Sequence, residues 1–319
     1  MDAQFQFKVK QQQAGQLLLS CLETSIPYLQ PEQWNELLIN GKITLNGGVI
    51  TSNPLLHLHD EVAYVVPNYE EPEVDTAWKL LWHNEHIAAI HKPANLPVSR
   101  TTRNVYNTLI QLLRRESPWP DAHLLHRLDL ETSGIILIAQ NNEQAKIYQP
   151  KLSQLMLCKR YRAIVHGEPS WQTLEHESYL NTKPDSPIRC QMHLVDKGQG
   201  KLSQTRFKKL ATTGEYSLIE CELLTGRKHQ IRAHLAGLGY PIVGDKIYSE
   251  QGGYYLKRLN NELTQEDLNA WLCDHHLLHA HEVHLNPLWD NTDNKVEVKN
   301  PFYSAQWRRF CERVNLPAC

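Results

Sequence analysis

The sequence of 319 residues lacks several features that would assign it to a special class of protein. No apolar run approaches the roughly 18 residues of a membrane-spanning helix, and the first thirteen residues have no apolar core, so we expect neither a membrane span nor a secretory signal. The seven cysteines are scattered and never spaced as Cys-x-x-Cys, which argues against a disulfide framework or structural zinc. No glycine-rich phosphate loop occurs, so no nucleotide cofactor is expected. These absences favour a cytoplasmic protein, with a monomer as the default.

Arginine is absent from the first 75 residues, which hold three lysines and ten acidic residues for a net charge of −7. The whole chain has a net charge of −2, so the remainder carries +5, and its lysines and arginines concentrate between Arg100 and Arg232. A local basic surface binds phosphate even on a nearly neutral protein, because the short-range field matters more than the total charge. The distribution therefore favours an anion-binding second part, with scattered solubilising charges as the alternative.

The sequence pattern predicts a small N-terminal module over residues 1–67. Its expected elements are a helix over 31–40, a hairpin of strands 43–45 and 49–51 turned at Asn46–Gly47, and a strand over 61–66. Residues 68–77 are polar and punctuated by proline, which indicates a linker. A second domain then occupies residues 78–319.

The second domain contains many short apolar segments and few helices. Strands are expected over 87–90, 135–138, 161–165, 205–210, 216–224 and 279–285. Helical spacing groups Leu109, Leu112 and Leu113 on one face, and Tyr148, Leu152 and Leu155 on another. Because no regular β-α-β rhythm connects these elements, the pattern predicts an α+β fold with a central mixed, mainly antiparallel sheet flanked by helices and loops.

The segment HRLDLETSG, residues 126–134, crowds polar side chains at the mouth of an apolar strand. Arg127 lies two residues from Asp129, and a nearby positive charge keeps a carboxylate ionised. An ionised, oriented carboxylate acts as a nucleophile or a general base. The competing interpretation is an ordinary loop salt bridge.

Two further segments carry candidate site residues. In the strand KRYRAIVHG, Lys159 and Tyr161 share one face. The tyrosine is expected to stack on a base or assist proton transfer, with a half-buried core residue as the alternative. In TGRKHQIRAHLAGLG, a helix beginning after Gly226 places Lys228 and Arg232 one turn apart. Such cations fit a phosphate backbone, pair with a catalytic carboxylate, or form a solvated basic face.

Five histidines lie close together in the sequence, and they are His275, His276, His279, His281 and His284. A His-x-His pair in a strand can chelate a metal, which makes a metal-dependent hydrolase one alternative. No third ligand has a compelling spacing, so we expect no metal.

Together these segments resemble the RluA family of pseudouridine synthases, which isomerise uridine in RNA. The matching stretches are residues 84–93, HRLDLETSG, KRYRAIVHG, TGRKHQIRAHLAGLGYPIVGDKIY, and LLHAHEVHL followed by Asn286–Pro287. They occur in family order over residues 78–290. His91 and Asn95 depart from the residues that are common in the family, and neither position belongs to the catalytic set.

The resemblance implies a role for each matched residue. Asp129 is the nucleophilic aspartate, Arg127 helps to evert the target nucleotide, Tyr161 packs against the flipped base, and Arg232 pairs with the catalytic carboxylate. No cofactor is implied. The other cations expected to bind RNA are Arg100, Arg103, Lys159, Arg227, Lys228 and His229.

The N-terminal module resembles the small RNA-binding domain of a ribosomal protein, carried here by residues 37–47 and 60–62. It lacks the arginines usual in that domain, and its acidity opposes phosphate binding, so we expect a degenerate copy. The expected partner is RNA, with ribosomal RNA favoured over transfer RNA. A non-catalytic RNA-binding or ribosome-assembly protein of the same fold is the remaining alternative.

Overall fold

The computed structural model describes residues 2–26, 29–101, 103–260, 262–270, 272–288 and 295–317, with the side chains of 268–270 left out. The chain divides into two compact units. The N-terminal unit comprises the residues up to Glu73 together with Ser99–Thr108, and the larger unit comprises Val74–Val98 and the residues from Leu109 onward. The first boundary therefore falls inside the segment predicted as a linker.

The segment Ser99–Thr108 joins the N-terminal unit because one carboxylate of that unit holds its backbone. The carboxylate of Glu71 accepts the N–H groups of Val105, Tyr106 and Asn107 at 2.8, 2.5 and 2.9 Å. Because of these hydrogen bonds, Ser99–Thr108 belongs to the N-terminal unit, although the sequence pattern assigned it to the second domain.

The N-terminal unit contains a four-stranded antiparallel sheet in the order β1-β4-β2-β3, with two helices packed on it. Its elements are β1 Ala3–Lys8, α1 Leu18–Ser25, α2 Pro31–Ile39, β2 Ile43–Leu45, β3 Gly48–Ile50 and β4 Glu61–Val66. The predicted helix and hairpin are present, and β1 and α1 were not predicted. The hairpin turns at Asn46 and Gly47, whose φ angles of 51° and 82° suit these two residue types.

The larger unit is built around one extensive sheet. Its strands are β5 Lys79–His83, β6 Ile87–Lys92, β7 His123–Leu124, β8 Ser133–Ala139, β9 Met156–His166, β10 Thr173–Asn181, β11 His193–Val195, β12 Lys201–Thr212, β13 Tyr216–Leu223, β14 Leu278–Leu285 and β15 Val296–Lys299. Its helices are α3 Leu109–Glu116, α4 Asn142–Tyr148, α5 Leu152–Leu155, α6 Gln230–Gly237, α7 Gly253–Leu259, α8 Gln265–Ala270 and α9 Ala305–Val314, with a 3₁₀ turn at Ser249–Gly252.

The strand order is β11-β10-β12-β13-β9-β14-β8-β6-β5, with β15 beside β14 and β7 beside β8. Among the strands that the structure describes, all pairings are antiparallel except that of β8 with β14, where Gly134 lies opposite Ala280. A Cβ at Gly134 would lie 2.3 Å from the carbonyl oxygen of Ala280, and its φ is 117°, so this position requires glycine. The observed architecture confirms the predicted mixed, mainly antiparallel α+β fold.

Two helices differ from the sequence expectation. Tyr148 and Leu155 are buried as expected, but they lie in separate helices, α4 and α5. Pro150 stands between the two, and a proline provides no N–H for a continuous helix. Helix α6 begins at Gln230, because His229 has a left-handed backbone with φ 53°; Lys228 therefore lies outside the helix that carries Arg232.

The core of the larger unit surrounds the centre of the sheet. All residues of β6 and β8 are buried, and Leu109, Leu112 and Leu113 of α3 pack against these strands. The charged loop that precedes β8 is attached to this closely packed core, which limits its motion. Among the described residues, no helix is long and apolar enough to cross a bilayer.

Alternating charges cross six neighbouring strands of this sheet. Each residue lies directly opposite the next, and we call this row the charge ladder: Glu175, Arg206, Glu222, Arg160, Glu282 and Lys299. Opposite charges in register stabilise strand pairs, whereas a shift of one residue removes every such match.

Candidate active site

The loop entering β8 has a separate anchor for each of five consecutive residues, Asp129 to Ser133, and we call it the anchored loop. Its anchoring contacts are Arg232 Nη1 to Asp129 Oδ2 at 2.8 Å, Lys92 Nζ to Leu130 O at 2.9 Å, Lys246 Nζ to Glu131 Oε1 at 2.7 Å, His276 Nε2 with Thr132 Oγ1 at 2.7 Å, and His279 Nδ1 with Ser133 Oγ at 2.8 Å. The partners come from β6, α6, the turn after α6 and the chain around the start of β14. Such a set holds a carboxylate in a fixed geometry.

Arg232 connects two carboxylates. Its Nε and Nη2 donate to Asp245 at 2.6 and 2.9 Å, and its Nη1 donates to Asp129 at 2.8 Å. The side chain of Asp245 is fully buried and that of Arg232 is 6% exposed, whereas 28% of the Asp129 side chain is exposed. Of the two carboxylates that Arg232 joins, Asp129 is therefore the one that a substrate can reach.

Burial acts to raise the pKa of Asp129, but His229 and Arg232 more than offset it, so the pKa lies below its ordinary value. The same arginine holds the pKa of Asp245 well below the ordinary range despite complete burial. Burial acts to lower the pKa of Arg232, yet Asp245 and Asp129 raise it overall. The three groups are therefore all charged at neutral pH, and Asp129 is an ionised carboxylate.

The second oxygen of Asp129 faces a histidine. Nε2 of His229 lies 3.7 Å from Oδ1 of Asp129, and the imidazole side chain is 8% exposed. Its Nδ1 lies 3.1 Å from the hydroxyl of Tyr248. Burial and the charge of Arg232 lower the pKa of His229 to about 4, so the ring is neutral at pH 7.

Tyr161 lies on β9 and packs against two apolar clusters of the larger unit. Burial raises the pKa of its phenol, and the negative charge of Asp129 raises it further, so the hydroxyl stays protonated. The ring therefore suits packing against a base and donating a hydrogen bond more than it suits proton removal as a phenolate.

The cations predicted to bind RNA occupy different environments. Arg127, Arg227 and Lys228 are exposed, whereas Lys159 is partly buried beside Gly226. Burial lowers the pKa of Lys159 below its ordinary value. His229, predicted as a member of this set, is mostly buried at the carboxylate. Arg100 and Arg103 are exposed and belong to the N-terminal unit.

The histidines of residues 275–284 are engaged by protein groups. His275 contacts Ser304 at 3.1 Å, His281 contacts Tyr303 at 3.0 Å, and His284 contacts Glu282 at 2.6 Å, while His276 and His279 anchor the loop. In the described part of the chain, the only three-residue group with metal-ligand spacing is Glu282, His284 and Glu297. Arg160 and Lys299 already neutralise its two glutamates.

Four residues that hold the site received no role from the sequence: Lys92, Asp245, Lys246 and His276. Lys92, Asp245 and Lys246 lie inside stretches with family likeness, and His276 directly precedes one, but likeness to a family does not report which residues touch each other. Asp245 meets Asp129 through Arg232, and Lys246 meets Glu131 across 115 positions of sequence. Periodicity and local spacing do not report such distant pairs.

A partly exposed, ionised carboxylate anchored by a buried arginine is an arrangement typical of enzymes that use acid–base or nucleophilic catalysis. Residues 86–237 match the family model described as RNA pseudouridylate synthase. An uncharacterised RNA pseudouridine synthase of Synechocystis is 30% identical to the chain, over 70% of the chain and 77% of that protein. The chain therefore belongs to the pseudouridine synthases of the RluA type, which are isomerases.

Two other relatives carry more specific names. The ribosomal large subunit pseudouridine synthase D of Zymomonas mobilis is 27% identical, over 76% of the chain and 80% of that protein. The mitochondrial tRNA pseudouridine(32) synthase of Saccharomyces cerevisiae is 28% identical, over 69% of the chain. The chain spans only 47% of the length of this yeast protein.

Proposed function

We propose that the chain converts specific uridines of ribosomal RNA to pseudouridine, with Asp129 as the catalytic carboxylate. The observation that carries this proposal is the pair of Asp129 and Arg232, in which a buried arginine at 2.8 Å holds an accessible carboxylate ionised. Ribosomal RNA is favoured because the Zymomonas relative, matched over most of its length, is named for the large ribosomal subunit. Transfer RNA is the second candidate, favoured by the name of the yeast relative.

In this proposal the target uridine leaves its stack at a cost of a few kcal/mol, which contacts to the RNA backbone offset. Arg127, Lys159, Arg227 and Lys228 supply phosphate contacts in the larger unit, and Arg100 and Arg103 supply them in the N-terminal unit. Tyr161 packs against the everted base.

The reaction is an isomerisation and needs no group from outside the chain. The bond between the ribose and N1 of uracil breaks with the help of Asp129, the base rotates, and the ribose forms a bond to C5. The hydrogen at C5 then leaves as a proton, and N1 gains one. Arg232 stabilises the negative charge of Asp129 before the reaction and whenever the carboxylate is released.

The test is release of tritium from RNA labelled at C5 of uracil. Ribosomal and transfer RNA from cells lacking this gene are offered separately to the wild type and to Asp129→Asn. We expect release from ribosomal RNA by the wild type and a loss of at least about 1,000-fold in the variant. Asp185→Asn, which changes an exposed carboxylate, is the matched control and should keep wild-type activity.

Release of tritium from transfer RNA alone would change the proposed substrate from ribosomal to transfer RNA and leave the proposed role of Asp129 unchanged. Appreciable turnover by Asp129→Asn would contradict the catalytic assignment. Binding of both RNA pools by the wild type without any release would favour the non-catalytic alternative.

A further inference from the structure

Tyr248 touches both groups that face the catalytic carboxylate. Its ring lies 5.1 Å from the guanidinium carbon of Arg232, and its hydroxyl lies 3.1 Å from Nδ1 of His229. The hydroxyl also accepts the backbone N–H of Met192 at 2.8 Å. Tyr248 is therefore coupled to Asp129 through two routes, one by Arg232 and one by His229.

The contacts of the Tyr248 hydroxyl favour one tautomer of His229. A phenol has one O–H to donate, and the Met192 N–H already occupies an acceptor position on this oxygen. This leaves the O–H available to donate to His229, an arrangement in which Nδ1 is the acceptor nitrogen. In a neutral imidazole the proton then lies on Nε2, the atom that faces Oδ1 of Asp129.

The backbone of His229 is held in an unusual conformation. Its φ of 53° and ψ of 18° place it in the left-handed region, at the residue preceding α6. A non-glycine residue in this region costs about 1 kcal/mol, and such strain clusters at functional sites. The conformation directs the imidazole to Asp129 instead of letting the residue continue the helix.

We propose that His229 and Tyr248 form a positioning pair for Asp129, in which Tyr248 fixes the imidazole tautomer and His229 presents a neutral Nε2–H to Oδ1. Arg232 engages Oδ2, so the two oxygens differ in environment. At 3.7 Å, Nε2 lies just beyond hydrogen-bond distance of Oδ1, and a neutral imidazole forms no ion pair, so this oxygen stays available to react. The inference rests on the proposed function, because it treats Asp129 as the reacting group.

The first test needs no RNA. In protein labelled with ¹⁵N-histidine, the side-chain nitrogen signals distinguish the two neutral tautomers, and His229→Gln identifies the signal of this residue among the 17 histidines. We expect the Nε2–H form in the wild type and a mixture of tautomers in Tyr248→Phe, which keeps the ring on Arg232 and loses only the hydroxyl. An Nδ1–H form in the wild type, or an unchanged tautomer in Tyr248→Phe, would overturn the proposal.

The second test uses the RNA pool from which the wild type releases tritium. We expect a decrease in kcat of about 100-fold for His229→Ala and about tenfold for Tyr248→Phe, with KM within about twofold, since small misplacement of a reacting group reduces rates by such factors. His229→Gln, which restores a side-chain N–H, should recover part of the loss.

The pair also predicts coupling between the two positions. His229→Ala combined with Tyr248→Phe should be no slower than His229→Ala alone, because the hydroxyl acts through the imidazole. Tyr255→Phe is the matched control, since that hydroxyl contacts Cys190 at 4.0 Å, and it should leave kcat unchanged. Wild-type kcat in His229→Ala, or fully additive losses, would overturn the pair, whereas an inactive wild type would contradict the proposed function and leave the tautomer result standing.

Discussion

Two charged networks of the larger unit show how burial changes what an ion pair does. In the candidate active site, the side chains of Arg232 and Asp245 are 6% and 0% exposed, and every guanidinium nitrogen of Arg232 has a carboxylate partner. In the charge ladder, the pair of Arg206 and Glu175 is 46% and 70% exposed. Both networks alternate in sign and have contacts near 2.8 Å, so distance alone does not distinguish them.

The two networks differ in whether water can hydrate a charge that has lost its partner. When one member of an exposed pair is removed, solvent hydrates the other, and the loss is small. When one member of a buried pair is removed, the remaining charge has no substitute partner. We therefore expect the active-site network to be intolerant of single changes and the ladder to be tolerant of them.

Asp245→Asn should have the largest effect on stability. The change leaves Arg232 with Asp129 as its one carboxylate and places an amide N–H₂ against a guanidinium N–H. We expect a decrease of about 3–5 kcal/mol in the free energy of unfolding, measured by denaturant titration at pH 7. Glu175→Gln makes the same carboxylate-to-amide change at the exposed ion pair with Arg206 and should be nearly silent.

The pH dependence of Asp245→Asn follows from the direction of the pKa shift. Because the pKa of Asp245 is depressed by folding, its stabilisation is complete above the unfolded pKa of about 3.9 and is lost as pH falls below that value. The wild type and the variant should thus converge in stability on acidification from pH 4. An equal difference at pH 7 and pH 2 would contradict this account.

Lys92→Met should have the next largest effect. The fully buried Nζ donates to the carbonyl oxygens of Pro93, Leu96 and Leu130 at 2.8, 3.0 and 2.9 Å. Methionine fills the space but leaves three carbonyls unpaired, so we expect a loss of about 2–3 kcal/mol and a slower reaction, because Leu130 follows Asp129. Thermal unfolding and kcat measure the two effects.

Burial lowers the pKa of Lys92 from 10.5 to about 7. Between these values the unfolded chain binds more protons than the folded chain, so the wild type gains stability as pH rises from 7 to 10.5. Lys92→Met lacks this gain, and the stability difference between the two proteins should grow over the same interval. A difference that stays constant from pH 7 to 10.5 would indicate that the carbonyls keep the ammonium charged in the folded state.

The sequence indicated the candidate catalytic residues of this site, but not the residues that hold them in place. Motif likeness selected Asp129, Tyr161 and Arg232, and the structure brings Arg232 to Asp129 across 103 positions of sequence. Asp245 and Lys92 act through contacts that depend on the closed sheet, and no local pattern reports them.

The same limit applies to the fold. Alternation and apolar runs predicted the central strands, because each reflects burial of one or two faces. The transfer of Ser99–Thr108 to the N-terminal unit depends on three backbone bonds to Glu71, which a pattern of apolar residues does not contain. The late start of α6 depends on the left-handed backbone of His229, a residue type that gives no warning of it.

Arg206→Ala should have the smallest effect and is the sharpest test of the comparison. Arg206 contacts Glu175 at 2.8 Å and Glu222 at 3.2 Å, so by contacts alone it resembles Arg232. Because solvent reaches all three side chains, we expect the denaturant midpoint to stay within the error of the measurement. Arg160→Ala, nearer the centre of the ladder and bound to the 8% exposed Glu282, should lower the midpoint measurably.

A graded response along the ladder, from Arg206 to Arg160, would identify burial as the variable that sets the strength of these ion pairs. A loss at Arg206 as large as that at Asp245 would instead mean that the ladder acts as one cooperative unit. In that case its directly opposed charges, and not solvent exclusion, would hold the register of the six strands.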